Sequence, residues 1–511
     1  KLLEGLFPAD AARAHRPEPR ATNRDSVKVK VGKGWRSLDF QGVLGYYQNN
    51  LVAHFFGRER CESPCASRQA HSVFILSAIL AVKIFNTEES VLQIKGIRGF
   101  KDILPGEVEK WQFAESEARR ILGLYGFLEL RIPLLERTEL FARSIGEATD
   151  IVGKEMYTFL DRDGDSLTLR PEATASVMRA YLEHGLNLKN PVGKYYVIGP
   201  MFRHERPQKG RYRQFHQVDA EILGVQEAWA DAEILVMLMR YLEALGIENL
   251  SLQMNSLGCS QCRSPYKKEI QTFLKTKKNS LCEDCQRRLE TNPLRIFDCK
   301  NEICQAALVE APVVLNFLCP ECHDHFEQVK TLLDDLHLSY SLNHRMVRGL
   351  DYYTRTAFEV VAGELGAQNA VCGGGRYDGL AEEIGGPAIP GIGFAIGVER
   401  LVMLLPEEKN YFRYPDVFLA ALGNEAKRRG FALAQELRDK GVWAELDYEG
   451  KSLKSQMRKA DRLQTPLVII LGEEELKKNQ VIIRDMATKV QEEIPMGRIV
   501  DRIKNIKGVK A

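Results

Sequence analysis

GPMFRHERPQKGRYRQFHQVDAEILG (199–224) carries the reading of the fold. Two segments that alternate apolar and polar residues flank a basic loop, RPQKGRY (206–212), as neighbouring strands flank a turn. Strand side chains repeat every two residues, so Arg203 and Glu205 share a face of the first segment. Arg213, Phe215, Gln217, Asp219 and Glu221 share a face of the second. Polar groups at this density are costly if buried without partners. The face is therefore either the solvated side of an antiparallel sheet or a polar cleft, with a basic loop over a phosphate-bearing ligand.

Working outward, FLELRI (127–132) alternates and stops at Pro133, and further strands are predicted at 250–254 and 357–362. Helical spacing is predicted over 111–127, 172–184, 226–245, 264–276 and 323–336. Strands adjacent in sequence with helices on either side imply a mainly antiparallel sheet, an α+β domain. After PEEKNYFRYP (406–415) the pattern changes to alternating elements: strands at 417–422, 441–446, 466–472 and 480–486, helices at 424–440 and 452–463. That predicts a separate, small α/β domain.

Three further stretches carry chemistry. RGLDYYTR (348–355) sets arginines around Asp351 and paired tyrosines. Arg348 is either a surface residue or a fixed positive charge for a phosphate. CGGGRYDG (372–379) lacks dinucleotide-fingerprint spacing, which leaves a turn or a close backbone approach. GIGFAIGVERLVMLL (391–405) reads as a Gly-rich strand running into a helix, with Arg400 either snorkelling or binding an anion. HExxH and G-x-S-x-G motifs are absent, and GKS (450–452) fails as a P-loop because position 445 is Glu445.

The 511 residues hold 71 Lys+Arg against 69 Asp+Glu and are 44% hydrophobic, which excludes collagen-like and wholly disordered chains. The apolar run FILSAILAV (74–82) falls short of the roughly 20 residues a spanning helix needs, so no membrane partner is expected. Net charge is +4 over 1–90, −6 over 91–414 and +4 over 415–511. Cys259-x2-Cys262 and Cys282-x2-Cys285 are 19 residues apart, zinc-ribbon spacing, and make Cys259, Cys262, Cys282 and Cys285 the candidate structural Zn2+ ligands. Cys299, Cys304, Cys319 and Cys322 follow. Free thiols are the alternative.

Together these stretches resemble the class II aminoacyl-tRNA synthetases, and within them the bacterial histidyl-tRNA synthetases, over roughly 95–511. Helix 111–125 with FLELRIP looks like motif 1, 199–224 like motif 2 with Arg203-x-Glu205, and GIGFAIGVERL like motif 3 with Arg400. RGLDYYTR and GGGRYDGL (373–380) resemble the two histidine-specific segments, and TLRPEATA (168–175) the Arg-Pro-Glu-x-Thr element. The resemblance implies an antiparallel-sheet catalytic domain over 91–414 with a helical insertion (about 257–325), and an anticodon-binding α/β domain over 415–511. It implies a cytoplasmic, homodimeric histidine–tRNA ligase using ATP, Mg2+, L-histidine and tRNA(His).

The resemblance also implies the division of labour. Arg203, Arg348 and Arg400 become the catalytic residues, and Arg203, Glu205, Arg211 and Arg400 hold ATP. Glu172, Thr174 and Gln217 take the histidine ammonium, while Glu221, Tyr353 and Tyr377, with Tyr352 beside them, take the imidazole side. Arg206, Gln208 and Arg213 face the tRNA acceptor end. A regulatory histidine-binding paralogue of a biosynthetic enzyme is the rival reading; such paralogues lose catalytic arginines and the anticodon domain. All eleven methionines lie at or after Met156, and the resemblance begins near Ile94. Residues 1–90 are therefore expected to be an upstream leader or misplaced start without a compact fold, with translation beginning at Val91-Leu92.

Overall fold

The computed structural model describes residues 27–31, 34–38, 94–146, 149, 151–363 and 369–507. The chain divides into two units at Lys95 and Gly96. In the first, Val27–Val31 and Gly34–Leu38 pair as an antiparallel hairpin. The rest of the segment expected to be a leader lies outside the described residues.

The second unit is built on an eight-stranded sheet. Its order is Ser341–Leu342, Leu250–Ser256, Thr354–Ala362, Ala370–Arg376, Gly391–Gly397, Gln214–Leu223, Gly193–Phe202 and Leu128–Glu129. All pairings are antiparallel except the two at the edges. Period-two alternation sorts the central strand: Val218, Ala220 and Ile222 enter a core with Leu235, Leu238 and Leu242 of the helix Ala228–Ala244. Helices Val108–Leu124 and Pro320–Asp335 add Ala118, Ile121, Val329 and Leu333 to that layer. Each buried Val, Leu or Ile side chain among them contributes about 1.5–3 kcal/mol. The opposite face is not solvated. Gln217, Asp219 and Glu221 are buried there, roofed by the helix Thr174–Glu183 and by Tyr352 and Tyr353. The sheet face is thus a cleft floor.

Several elements differ from the sequence reading. The segment ahead of the basic loop forms the strand Gly193–Phe202, and Arg203 and Glu205 lie just beyond its end rather than on its face. FLELRI is in strand register only at Leu128–Glu129; the Leu130 N–H still donates to the Tyr196 carbonyl at 2.8 Å, and the Ile132 carbonyl accepts the Arg170 guanidinium at 2.8 Å. Residues 370–376 form a central strand, and a simple turn is excluded there. Its glycines leave room for facing groups: a Cβ on Gly374 would lie 2.6 Å from the Phe358 ring.

Between Leu257 and Phe326 the chain folds into short helices around Tyr266, Ile270, Leu274, Leu289, Ile296 and Leu308. The four cysteines that sequence spacing groups as one ligand set do not converge. Cys259 and Cys262 stand with Cys319 and Cys322, whereas Cys282 and Cys285 stand with Cys299 and Cys304. The helix Ser260–Thr276 lies between the first two pairs and sends them to different neighbours.

Past residue 415 a five-stranded sheet runs Ala444–Leu446, Val417–Ala421, Leu467–Leu471, Gln480–Asp485, Gln491–Pro495. The first two pairings are parallel and the last two antiparallel. Gln491–Pro495 escaped the sequence reading because only Ile494 of its residues is buried. On the helix Leu453–Arg462, Lys454, Arg458 and Arg462 are exposed at spacings of four, while Gln456 and Ala460 are buried. No helix among the described residues is long and apolar enough to cross a membrane.

Candidate active site

Two adjoining cavities open on the cleft face of the large sheet. The inner one, ≈ 170 Å³, is lined by Glu172, Thr174, Gln217, Asp219, Tyr352 and Tyr377 among others. The outer one, ≈ 410 Å³, is lined by Glu205, Arg211, Lys300, Glu359, Glu399 and Arg400 among others. Arg203, Gln217, Arg348, Gly373 and Ala395 belong to both. Two arginines therefore stand where the cavities adjoin.

The inner cavity is acidic. Glu172, two residues ahead of the helix Thr174–Glu183, accepts the backbone N–H groups of Thr174 and Ala175, each at 2.9 Å, and the Tyr352 hydroxyl at 3.3 Å. Glu221 accepts the Thr174 hydroxyl at 2.6 Å and the Tyr377 hydroxyl. Burial pushes the Glu221 carboxyl up to about 8, with Glu172 adding to the rise and the two hydroxyls opposing it. Burial raises Glu172 as well, against its backbone donors. Asp219 is held well above the usual carboxylate range, first by burial and then by Glu221 and Glu172. Asp219 Oδ2 and Gln217 Oε1 are buried without hydrogen-bond partners. Such a set of acceptors, charged reluctantly, suits an ammonium group that arrives with the ligand.

The shared wall and outer cavity are basic. Arg203 donates from Nε to the Pro171 carbonyl at 2.9 Å, and its guanidinium lies 5.2 Å from the Phe215 ring centroid. Arg348 pairs with Glu359 and lies 5.3 Å from the Tyr353 ring centroid. Burial opposes its charge, yet Tyr353 and Glu359 hold the guanidinium above its ordinary range. Arg400 donates to the Gly210 and Ala370 carbonyls, at 3.3 and 2.5 Å, and so joins the loop to the sheet. Arg211 pairs with Glu205, and Gln208 and Arg211 bridge each other to close the loop around Gly210, whose φ is +69°. Glu399 accepts the backbone N–H of His216 at 2.9 Å.

All three arginines read from the sequence as anion holders line a cavity, as do Glu205 and Arg211. Glu172, Thr174, Gln217, Tyr352, Tyr353 and Tyr377 line the inner one, and Glu221 is buried against it. Arg206 and Gln208 are exposed on the loop. Arg213 does not share the strand face with Gln217. It precedes the strand Gln214–Leu223, and its backbone N–H bonds to Gly99 while its side chain covers that glycine. Sequence reasoning assigned no role to Asp219, Glu359 or Lys300. Period two already put Asp219 between Gln217 and Glu221, whereas no local signal marks the other two.

The histidyl-tRNA synthetase family profile matches residues 99–401, and the anticodon-binding-domain profile matches 416–506. The histidine–tRNA ligase of Syntrophotalea carbinolica is 56% identical over 405 residues, covering 79% of this chain and 97% of the relative. That of Geobacter sulfurreducens is 55% identical over 403 residues, with the same coverage. The crystal structure of apo S. aureus histidyl-tRNA synthetase superposes with a TM-score of 0.69 at 38% identity, covering 81% of this chain and all of the other. The chain belongs to the histidyl-tRNA synthetase family.

Proposed function

We propose that this chain is a histidine–tRNA ligase, activating L-histidine with ATP and passing it to the 3′ end of tRNA(His). The observation that carries the reading is the wall of Arg203 and Arg348 shared by an acidic and a basic cavity. Histidine in the inner cavity would present its carboxylate, and ATP in the outer one its α-phosphate, at that wall. A carboxylate oxygen attacks the α-phosphorus, and the bond to the β-phosphate breaks to release diphosphate. The 3′-hydroxyl of the tRNA then attacks the carbonyl of the adenylate, and AMP leaves. Neither step requires a protein nucleophile, so position and charge supply the catalysis.

Arg203 and Arg348 would flank the α-phosphate, with Arg400 and Arg211 on the outer phosphates and Glu205 at the adenine end. Mg2+ carried by ATP would meet the carboxylates of Glu359 and Glu399, which line the same cavity, and would neutralise phosphate charge. The ammonium would be taken by Glu172, Gln217 and, beyond the residues read from sequence, Asp219. Thr174 is engaged with Glu221, so its role is to set that carboxyl, which with Tyr353 and Tyr377 faces the imidazole. A neutral imidazole offers one donor and one acceptor, which a carboxyl and a phenol match.

Residues 91–414 act as the catalytic domain and 415–511 as the anticodon module. The exposed stripe Lys454, Arg458, Arg462 is the phosphate-contacting surface. Arg206, Gln208 and Arg213 would approach the acceptor end. Exposed Leu128, Leu134, Leu135 and Phe159 beside the sheet edge support a homodimer, and the enzyme would work in the cytoplasm. The regulatory-paralogue reading is disfavoured by the three arginines on the cavities and the match to the anticodon-binding profile.

The test is histidine-dependent exchange of diphosphate into ATP. The wild type is expected to exchange and Arg348→Ala to lose most of it. No exchange by the wild type would sink the enzyme reading, and full exchange by the variant would sink the role of Arg348.

A further inference from the structure

We infer that the insertion holds two separate tetrahedral zinc ions, one on Cys259, Cys262, Cys319 and Cys322, the other on Cys282, Cys285, Cys299 and Cys304. In each group the four sulfurs lie within 4.8 Å of one another. An ion holding four thiolates at about 2.3 Å sets its sulfurs about 3.8 Å apart. Cys259 Sγ lies 3.6 Å from Cys262 Sγ and 3.9 Å from Cys319 Sγ, and Cys282 Sγ lies 3.9 Å from Cys299 Sγ. These separations match the edges of such a tetrahedron. They exceed a disulfide bond by far, and all eight thiols are free.

Helix N-termini and backbone N–H groups face several of the sulfurs. Cys259, Cys282 and Cys319 each stand at the N-cap of a helix, with Cys262, Cys285 and Cys322 one turn on, so both sulfurs of each pair meet the positive end of the helix. The Cys319 N–H donates to Cys262 Sγ at 3.1 Å, and the Cys282 N–H to Cys304 Sγ at 3.2 Å. Backbone donors of this kind orient a metal's sulfur ligands. Gly258, at φ +64°, has no Cβ to press on Cys262, and so lets the chain turn into the first group.

The two groups serve different places. The first ties the entry of the insertion to its exit, beside Leu257 and Gly258, whose backbones bond to Arg355 of the catalytic sheet. The second lies within the insertion. Cys299 precedes Lys300, which lines the outer cavity, and follows Arg295, which donates to the Gly349 carbonyl at 2.5 Å, next to Arg348. An insertion of this size has a small core, for which a metal staple is a common remedy.

Zinc and iron are measured by mass spectrometry on full-length protein purified without chelator. About two zinc ions per chain are expected, falling to one in Cys262→Ser/Cys322→Ser and to one in Cys285→Ser/Cys304→Ser. The second variant alone is expected to raise the KM for ATP several-fold; an unchanged KM would overturn the anchoring of Lys300. Less than a tenth of an equivalent of zinc, iron in its place, or one ion sensitive to both variants would overturn the two sites. Should a variant fail to fold, mercurial titration of the wild type with a zinc indicator reads the same count. Release of two equivalents supports the sites, and release of one or none refutes them.

Discussion

The guanidinium of Arg348 occupies the space that any side chain at position 373 would need. A Cβ on Gly373 would lie 2.5 Å from Nη1 of Arg348 and nearer still to Nη2. The glycine run of the strand Ala370–Arg376 is therefore a seat for the arginine at the wall between the cavities. Gly373→Ala should displace Arg348 and lower diphosphate exchange by about 10²-fold, as a shift of about 1 Å in a positioning group can do. Circular dichroism and exchange rates on one preparation check this; wild-type exchange in the folded variant would refute the seating role.

Asp219 should govern histidine rather than ATP. Its Oδ2 lacks a partner in the inner cavity, so Asp219→Asn removes a carboxylate that would meet the ammonium. A charged hydrogen bond contributes about 1.5–3 kcal/mol, so the KM for histidine should rise about 10- to 100-fold. The KM for ATP should stay within about twofold if cavities and ligands divide as proposed. Steady-state exchange with each substrate varied separately measures both.

Glu221 makes the ligand-free protein sensitive to alkali. Its folded pKa, about 8, is raised from 4.5, so the neutral form is favoured in the folded state. Stability from this group is full below about pH 4.5 and is lost as pH rises through about 8. Glu172 and Asp219 are shifted in the same direction. Glu221→Gln should thus melt closer to the wild type at about pH 5 than at about pH 9, where the variant should be the more stable. Thermal melts at the two pH values decide it; parallel curves would count against the buried neutral carboxyl.

The pair Arg376–Asp231 is fully buried on the other side of the sheet, joined through Nε at 3.1 Å and through Nη2. Removing Asp231 leaves the buried guanidinium only Asp378 and the carbonyls of Val225 and Glu227. Asp231→Ala should cost about 3–5 kcal/mol of stability, more than most single substitutions. Urea unfolding monitored by fluorescence measures the loss.

The C-terminal stripe should act only on the second step. Reversing Lys454 and Arg458 to Glu should raise the KM for tRNA and flatten its salt dependence while leaving diphosphate exchange unchanged. Aminoacylation at two salt concentrations, set beside exchange, separates the effects.

What could be read from the sequence followed from periodicity and charge. The alternation of 214–223 places Gln217, Asp219 and Glu221 on one face, and the long apolar helix 228–244 announces its burial. Whether that face met solvent or a ligand was not local information; it depended on Thr174, Tyr352 and Tyr353 arriving from far along the chain. The strand 370–376 hid because three glycines carry no pattern. The cysteine partners hid for the reason loops always hide theirs: Cys259 meets Cys319 across sixty residues, while the neighbouring pair in sequence turns elsewhere. Glu359 is a polar residue on a buried strand whose meaning appears only beside Arg348.

The strand Gly391–Gly397 has one more consequence. Against Gly391 lies the Tyr377 ring, 2.9 Å from where a Cβ would sit at Cδ2, and against Gly393 the Glu221 carboxyl and the Ala220 carbonyl, the latter 2.5 Å away. Behind Tyr377 and Glu221 there is thus bare main chain and, at these two positions, no side chain left to shorten. Mutation can crowd this recess or strip the groups that line it, but it cannot push the floor back. With the imidazole seated here as proposed, drift toward a bulkier amino acid would be closed to substitution at these glycines, and fidelity there would be inherited from the backbone itself.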